Sequence, residues 1–199
     1  GIDLDACPVM PEPTGTPVVT CAARLLRDKG VREFVEAAML LRRRGLQARF
    51  RLVGDPDPGN PATVSPEQVR AWSDEGVVEV LGFRRDVPEQ YAQSSIVCLP
   101  SYGEGLPKSL VEAAACGRAV VTTDVPGCRD AIDVGISGVL VPPRDFGALA
   151  DAIQYLLEHP TERQAMGRAG RELAEREFDI HKIVEQHLQI YRELESPHA

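Results

Sequence analysis

Residues 95–122 read SIVCLPSYGEGLPKSLVEAAACGRAVVT, and this stretch decides the fold. Ser95 to Leu99 is a short apolar run of strand character. Ala119 to Thr122 is another. Between them, residues 107–117 look helical and stop at Gly117, a common residue just past a helix C-terminus. Strand, helix and strand in succession is the alternation that builds a parallel sheet with its faces covered.

The same alternation extends outward in both directions. Toward the N-terminus, Pro17 to Ala22 is β-rich, and Val31, Phe34, Val35, Ala38 and Leu41 follow at helical spacing. Arg49 to Gly54 reads as the next strand. Ser65-Pro66-Glu67-Gln68 is a capping box with proline at the first helical position, opening a helix that stops near Gly76. Val77 to Leu81 reads as a third strand. Toward the C-terminus, Gly138 to Val141 is a sixth strand, and Asp145 can cap a helix carrying Leu149, Ile153, Leu156 and Leu157. Pro160 breaks that helix. Two more follow, one with Met166, Ala169 and Leu173, the other with Ile183, Val184, His187, Leu188 and Tyr191. The expected fold class is α/β: a Rossmann-like parallel sheet of about six strands, helices on both faces, and extra C-terminal helices. Residues 17–178 form the domain. Residues 1–16, with Pro8, Pro11 and Pro13, read either as a ragged tail or as an interdomain linker.

Composition narrows the function. A net charge of −8 over 199 residues argues against a duplex-binding face, which needs clustered cations. It leaves room for a single nucleotide, which needs only a few. No apolar run approaches the roughly 18 residues of a membrane span, and no charged start leads into an apolar stretch as in a signal peptide. Five scattered cysteines with no C-x-x-C pair argue against a disulfide framework or a zinc site and fit a reducing compartment. The four histidines are dispersed over the late helices and the terminus and suggest no metal or catalytic set.

In an open parallel sheet, ligands bind beyond the carboxyl ends of the strands. Five loops qualify. The first holds Arg24, Lys29 and Gly30, two cations able to clamp a diphosphate. Gly54-Asp55 follows the second strand. Gly82-Phe83-Arg84 follows the third, and is either a base contact or a plain strand end. Ser101 to Lys108 follows the fourth. There Gly103 and Gly105 let the backbone come close to a ligand, Pro107 fits a first helical turn, and the helix start offers free N–H groups to phosphate. Glu112, one turn into that helix, can accept two hydrogen bonds from vicinal hydroxyls such as a ribose diol. Pro126 to Asp130 either reaches a sugar or turns into a short helix. Neither G-x-G-x-x-G nor a G-x-x-x-x-G-K-[ST] loop is present.

Taken together, these residues resemble the retaining glycosyltransferases with the GT-B fold, family 4 of the usual sequence classification. The resemblance runs over essentially the whole chain. Glu104, seven residues, and Glu112 look like that family's paired-glutamate motif. Arg24 with Lys29-Gly30 is similar to its diphosphate clamp. Leu52-Val53-Gly54-Asp55 and Gly138 to Asp145 match its other strand-to-loop passages. The resemblance implies Arg24, Lys29 and Glu104 as catalytic residues, the last contacting the donor sugar. Gly54, Phe83, Gly105, Leu106, Pro107, Lys108, Ser109, Leu110 and Glu112 would bind the donor. The implied donor is a UDP-sugar rather than a GDP-sugar, with no cofactor and no metal. Leu106-Pro107-Lys108, where many members carry an aromatic residue, is similar to members that build bacterial surface polysaccharides such as lipopolysaccharide, often from N-acetylated sugars. The acceptor would be lipid-linked or a polysaccharide. The enzyme would be cytoplasmic, with peripheral attachment at the inner face of the membrane. The resemblance also implies a preceding acceptor domain, with residues 1–16 as the connector and residues 179–199 as a helix returning toward it. Two rival readings of the residues are a nucleotide-sugar epimerase and a non-catalytic nucleotide-sugar-binding module.

Overall fold

A computed structural model describes residues 1–195. His198 and the end of the 179–199 segment lie outside the described residues. Six strands, β1 (Val18–Ala22), β2 (Arg49–Val53), β3 (Glu79–Val80), β4 (Ile96–Leu99), β5 (Ala119–Thr123) and β6 (Gly138–Val141), form one sheet. All of its pairings are parallel, and the order is β3-β2-β1-β4-β5-β6. The chain therefore reverses its direction of growth between β1 and β4. At such a switch point two neighbouring loops diverge and open a crevice.

The central strands are buried on both faces, and successive side chains feed opposite cores. Val19, Cys21, Ile96, Cys98 and Val121 join one apolar cluster with Phe34, Leu41 and Leu149. Ala22, Val97, Leu99 and Val120 join a second with Leu110, Tyr91 and Cys128. The first face is covered by α1 (Val31–Arg43), α2 (Pro66–Asp74) and α6 (Phe146–Glu158). The second is covered by α3 (Val87–Ala92), α4 (Lys108–Ala115) and α5 (Pro126–Asp130). Local capping agrees with the sequence: the Ser65 hydroxyl accepts from the Gln68 N–H at 3.2 Å, and Asp145 accepts from the Ala148 N–H at 2.9 Å.

Four local expectations change. The third strand shrinks from Val77–Leu81 to Glu79–Val80, because it is an edge strand paired only with β2, while Val77 and Val78 turn into the core. Pro107 is the N-cap of α4, with an extended backbone, and not a residue of its first turn. The connection between β3 and β4 contains the unforeseen helix α3, while residues 126–130 form the short helix that was one of their two readings. Pro160 ends α6 and at the same time opens α7 (Pro160–Leu173), since a proline at the first helical position loses no hydrogen bond.

After α7, a π-helical turn over Ala174–Phe178 leads to α8 (Ile180–Glu195). The first residues lie against this end of the domain. Ile2 donates to the Phe178 carbonyl and accepts from the Ile180 N–H, at 2.8 and 2.9 Å. Farther along, Arg163, 6% exposed, makes a two-point pair with Glu12 at 3.0 and 2.7 Å. Arg118 donates to the Met10 carbonyl.

Candidate functional site

The site begins with the loops after β1 and β4, on either side of the switch point. The Asp28 carbonyl accepts the Tyr102 N–H at 2.8 Å and lies 3.1 Å from the Ser101 hydroxyl, so one loop is fastened to the other. That fastening brings Lys29 to Glu104: Nζ lies 2.7 Å from Oε1, with the side chains 19% and 12% exposed. Two residues 75 positions apart thus form one shielded pair. In such a setting a charge-assisted contact is worth more than on an open surface.

A cavity of about 450 Å³ opens at the carboxyl ends of β1 and β2. Its walls include Arg24, Gly54, Asp57, Phe83, Tyr91, Ser109 and Glu112. Gly54 is required there by its backbone: its φ is +137°, and a Cβ would stand 2.0 Å from the Ala23 carbonyl oxygen. Arg24 is exposed and reaches Asp57 at 2.8 Å. Glu112 is mostly shielded, and one of its oxygens lies 3.2 Å from the Nζ of the exposed Lys108, one turn earlier on α4. At the rim, Arg84 and then Gln90 hold the Asp86 carboxyl down to about 2.

The N-terminus of α4 lies at the same edge. Pro107 brings no capping side chain. The N–H groups of Leu110 and Val111 both return to the Pro107 carbonyl, at 3.1 and 3.3 Å. Those of Lys108 and Ser109 have no backbone acceptor among the described residues. An uncapped helix start concentrates donors and positive potential, the requirement for an anion site. Above Gly103 and Gly105 the space is open, since a Cβ on either would meet nothing within 4 Å.

Of the residues singled out in the sequence, the cavity gathers Arg24, Gly54, Phe83, Ser109 and Glu112. Lys29 and Glu104 pair with each other and are not among its walls. Leu106 and Lys108 border a separate small hollow with Ile2 and Phe178. Pro107 is buried and has no N–H to offer. Leu110 is fully buried with its N–H already bonded, so its contribution is packing and not a free donor.

Two residues of the site, Asp57 and Tyr91, escaped the sequence reading, and a third, Gly127, lies in the Pro126 to Asp130 loop it had marked without a role of its own. Asp57 lies in the loop after β2 and faces Arg24. Gly127, at the start of α5, packs so closely on the Glu104-Gly105 backbone that a Cβ would stand 1.6 Å from the Gly105 carbonyl oxygen. Tyr91 reaches the cavity wall from α3. Only Gly127 left a local signal, its place in a Pro-Gly turn after a strand. The clustering of metal-type ligands found among the described residues, Asp3, Asp5 and His181, is exposed, and none of the three lines the cavity.

Comparison with known proteins gives the family and the fold. The profile of the family described as Glycosyl transferases group 1 matches residues 16–159. The chain belongs to the group 1 glycosyltransferases. One relative of this glycosyltransferase chain is the N,N'-diacetylbacillosaminyl-diphospho-undecaprenol alpha-1,3-N-acetylgalactosaminyltransferase of Campylobacter jejuni. It is 36% identical over 175 residues, covering 88% of this chain and 44% of that protein. Among solved structures, sucrose-phosphate synthase from Thermosynechococcus elongatus superposes with a TM-score of 0.85 at 28% identity, over 98% of this chain and 51% of its own. HepE from Anabaena, solved in complex with UDP, superposes with a TM-score of 0.85 at 25% identity, over 97% of this chain and 56% of its own. The six-stranded parallel sheet is thus the fold of one half of a GT-B glycosyltransferase, and the chain spans about half the length of the relatives it matches. No helix among the described residues is long and apolar enough to cross a membrane.

Proposed function

We propose that this chain is the donor-binding half of a retaining, metal-independent family 4 glycosyltransferase. It holds a nucleotide sugar, a UDP-sugar in preference to a GDP-sugar. The observation that carries the reading is the cavity itself, which joins a cation, an uncapped helix N-terminus and the shielded carboxylate of Glu112 at the strand ends.

In this reading Glu112 accepts from the ribose diol, releasing the exposed Lys108. The diphosphate lies between Arg24, Lys29 and the Lys108 and Ser109 N–H groups. As the bond between the anomeric carbon and the diphosphate breaks, negative charge grows on the leaving group. Preorganised cations and helix-end donors then lower the barrier, the work a metal does elsewhere. Glu104, held by Lys29, faces the donor sugar. The open space over Gly103 and Gly105 leaves room for that sugar.

The acceptor is lipid-linked or a growing surface polysaccharide, bound by a second domain, for which residues 1–16 and α8 serve as the connectors. The name of the Campylobacter relative, with its undecaprenol-linked acceptor and N-acetylated donor sugar, supports this choice, and a lipid-linked acceptor would place the work of the enzyme at a membrane surface. The crystal complex of HepE with UDP supports the nucleotide.

Calorimetric titration with UDP, GDP and NAD, with and without magnesium, tests the proposal. Binding of UDP, unaffected by metal, is expected. Tight NAD binding, or strict dependence on magnesium, defeats it. Retention is tested on the full-length enzyme from the anomeric configuration of its product.

A further inference from the structure

Tyr91 is the largest of the fully buried side chains, at 0% exposure. Its ring is fixed in place. The Tyr91 carbonyl accepts from the Ser94 N–H at 2.9 Å and from Arg118 Nε at 3.2 Å, and α3 packs on α4 and β1. Yet its hydroxyl finds no hydrogen-bond acceptor among the described residues, the Ser109 side chain nearby bearing on it only from the donor side. A buried donor left unpaired is costly, and phenylalanine would fill the same volume without that cost. Packing therefore does not account for the oxygen.

The residue borders the same cavity as Ser109 and Glu112, both of them on the facing helix α4. Burial first, then the Glu112 charge, push the phenol well above its usual range, while Ser109 acts in the opposite sense. The group is therefore a proton-bearing donor at every working pH, set beside a carboxylate that only accepts.

We propose that the Tyr91 hydroxyl is a ligand-binding, specificity-determining group. It donates to the oxygen of a ribose hydroxyl whose own proton is given to Glu112, and so favours donors that carry that hydroxyl over deoxy donors that lack it. A sugar hydroxyl can donate and accept at once, so one hydroxyl satisfies both side chains. A deoxy position satisfies neither and leaves Tyr91 as unpaired as in the empty cavity. The inference rests on the donor-domain reading, and it adds to that reading a group that discriminates between sugars of the nucleotide.

The test is titration of the 199-residue chain and its Tyr91→Phe variant with UDP, 2′-deoxy-UDP and 3′-deoxy-UDP, together with melting of both proteins without ligand. Tyr91→Phe should weaken UDP about three- to tenfold, the range of one neutral hydrogen bond. The loss should vanish for one of the two deoxy analogues, naming the hydroxyl contacted. The ligand-free melting midpoint should stay level or rise. Unchanged UDP affinity, an equal loss for all three nucleotides, or a lower midpoint would overturn the inference, the last by placing the partner of the hydroxyl inside the protein. Glu112→Ala separates the two levels. If it weakens UDP while Tyr91→Phe does not, the donor reading stands and the Tyr91 role falls. If wild type binds neither UDP nor GDP, both fall.

Discussion

Replacing Gly127 with alanine tests whether α5 holds the Glu104 loop in position. The glycine needs no unusual backbone angle; what it supplies is space. A Cβ there would lie 1.6 Å from the Gly105 carbonyl oxygen, 2.4 Å from its carbon and 2.5 Å from the Glu104 carbonyl oxygen. A carbon–oxygen contact settles at about 3.3 Å or more, so the loop has to withdraw by roughly 1.7 Å. All three colliding atoms are backbone, and no rotamer change relieves them. Alanine gains about 1 kcal/mol in helix propensity over glycine, whereas overpacking a filled site costs about 1–3 kcal/mol. The net change in stability should therefore be small, destabilising by about 1–2 kcal/mol at most. The displacement falls on Glu104 and on the donors at the start of α4. Misplacing a reacting group by about 1 Å costs on the order of a hundredfold in rate. In the full-length enzyme, transfer should fall by about that factor, while urea unfolding of this chain shifts only slightly. UDP affinity should fall too, but by less than the rate, because the α4 donors to the diphosphate move while Arg24 and Glu112 lie off the moved loop. Transfer within about threefold of wild type would refute the reasoning, since a loop displaced by more than about 1 Å could not cost so little.

Other outcomes follow from the same geometry. Glu112→Ala should weaken UDP by about ten- to a hundredfold, the value of one or two hydrogen bonds to a charged acceptor, and unchanged affinity by calorimetry would remove the ribose role. Glu12→Ala strips Arg163 of its buried carboxylate but leaves it the Leu156 carbonyl at 2.8 Å. The loss in urea denaturation should be near the lower end of the range for a broken buried pair, about 3 kcal/mol, and a loss below about 1 kcal/mol would show that the first residues are not fastened to the domain. Burial, then the hydrogen bond to Glu33, push the Tyr102 phenol up to about 12. Its folded value lies above its unfolded value of about 10, so the stability it contributes is complete below pH ~10 and is lost as pH rises through about 12. Wild type and Tyr102→Phe should then differ by a constant amount below about pH 10 and converge above it, and a difference that grows with alkali would be contrary to this sign.

The elements of this protein were legible in its sequence because they are written in local chemistry. Alternation of apolar runs with helical spacing marks strands and helices, and Ser65 and Asp145 mark helix starts by a hydrogen bond three residues away. The run from Glu104 to Glu112 also marked a candidate anion site, since a helix start after a glycine loop is a local feature. β3 was read too long because apolar Val77 and Val78 serve the core equally well without pairing in the sheet. Tertiary structure alone decided which loops meet. The strand order sets β1 beside β4 and so brings Lys29 to Glu104, while the packing of α3 on α4 sets Tyr91 and Glu112 in one cavity. It likewise turned Leu110 from a candidate donor into a core residue, fitted Gly127 against the Gly105 carbonyl, and set Asp57 against Arg24. A side-chain period tells which face of an element is buried, but every buried strand shows the same period. The choice of neighbour comes from the packing of the whole chain, and the site is assembled from that choice.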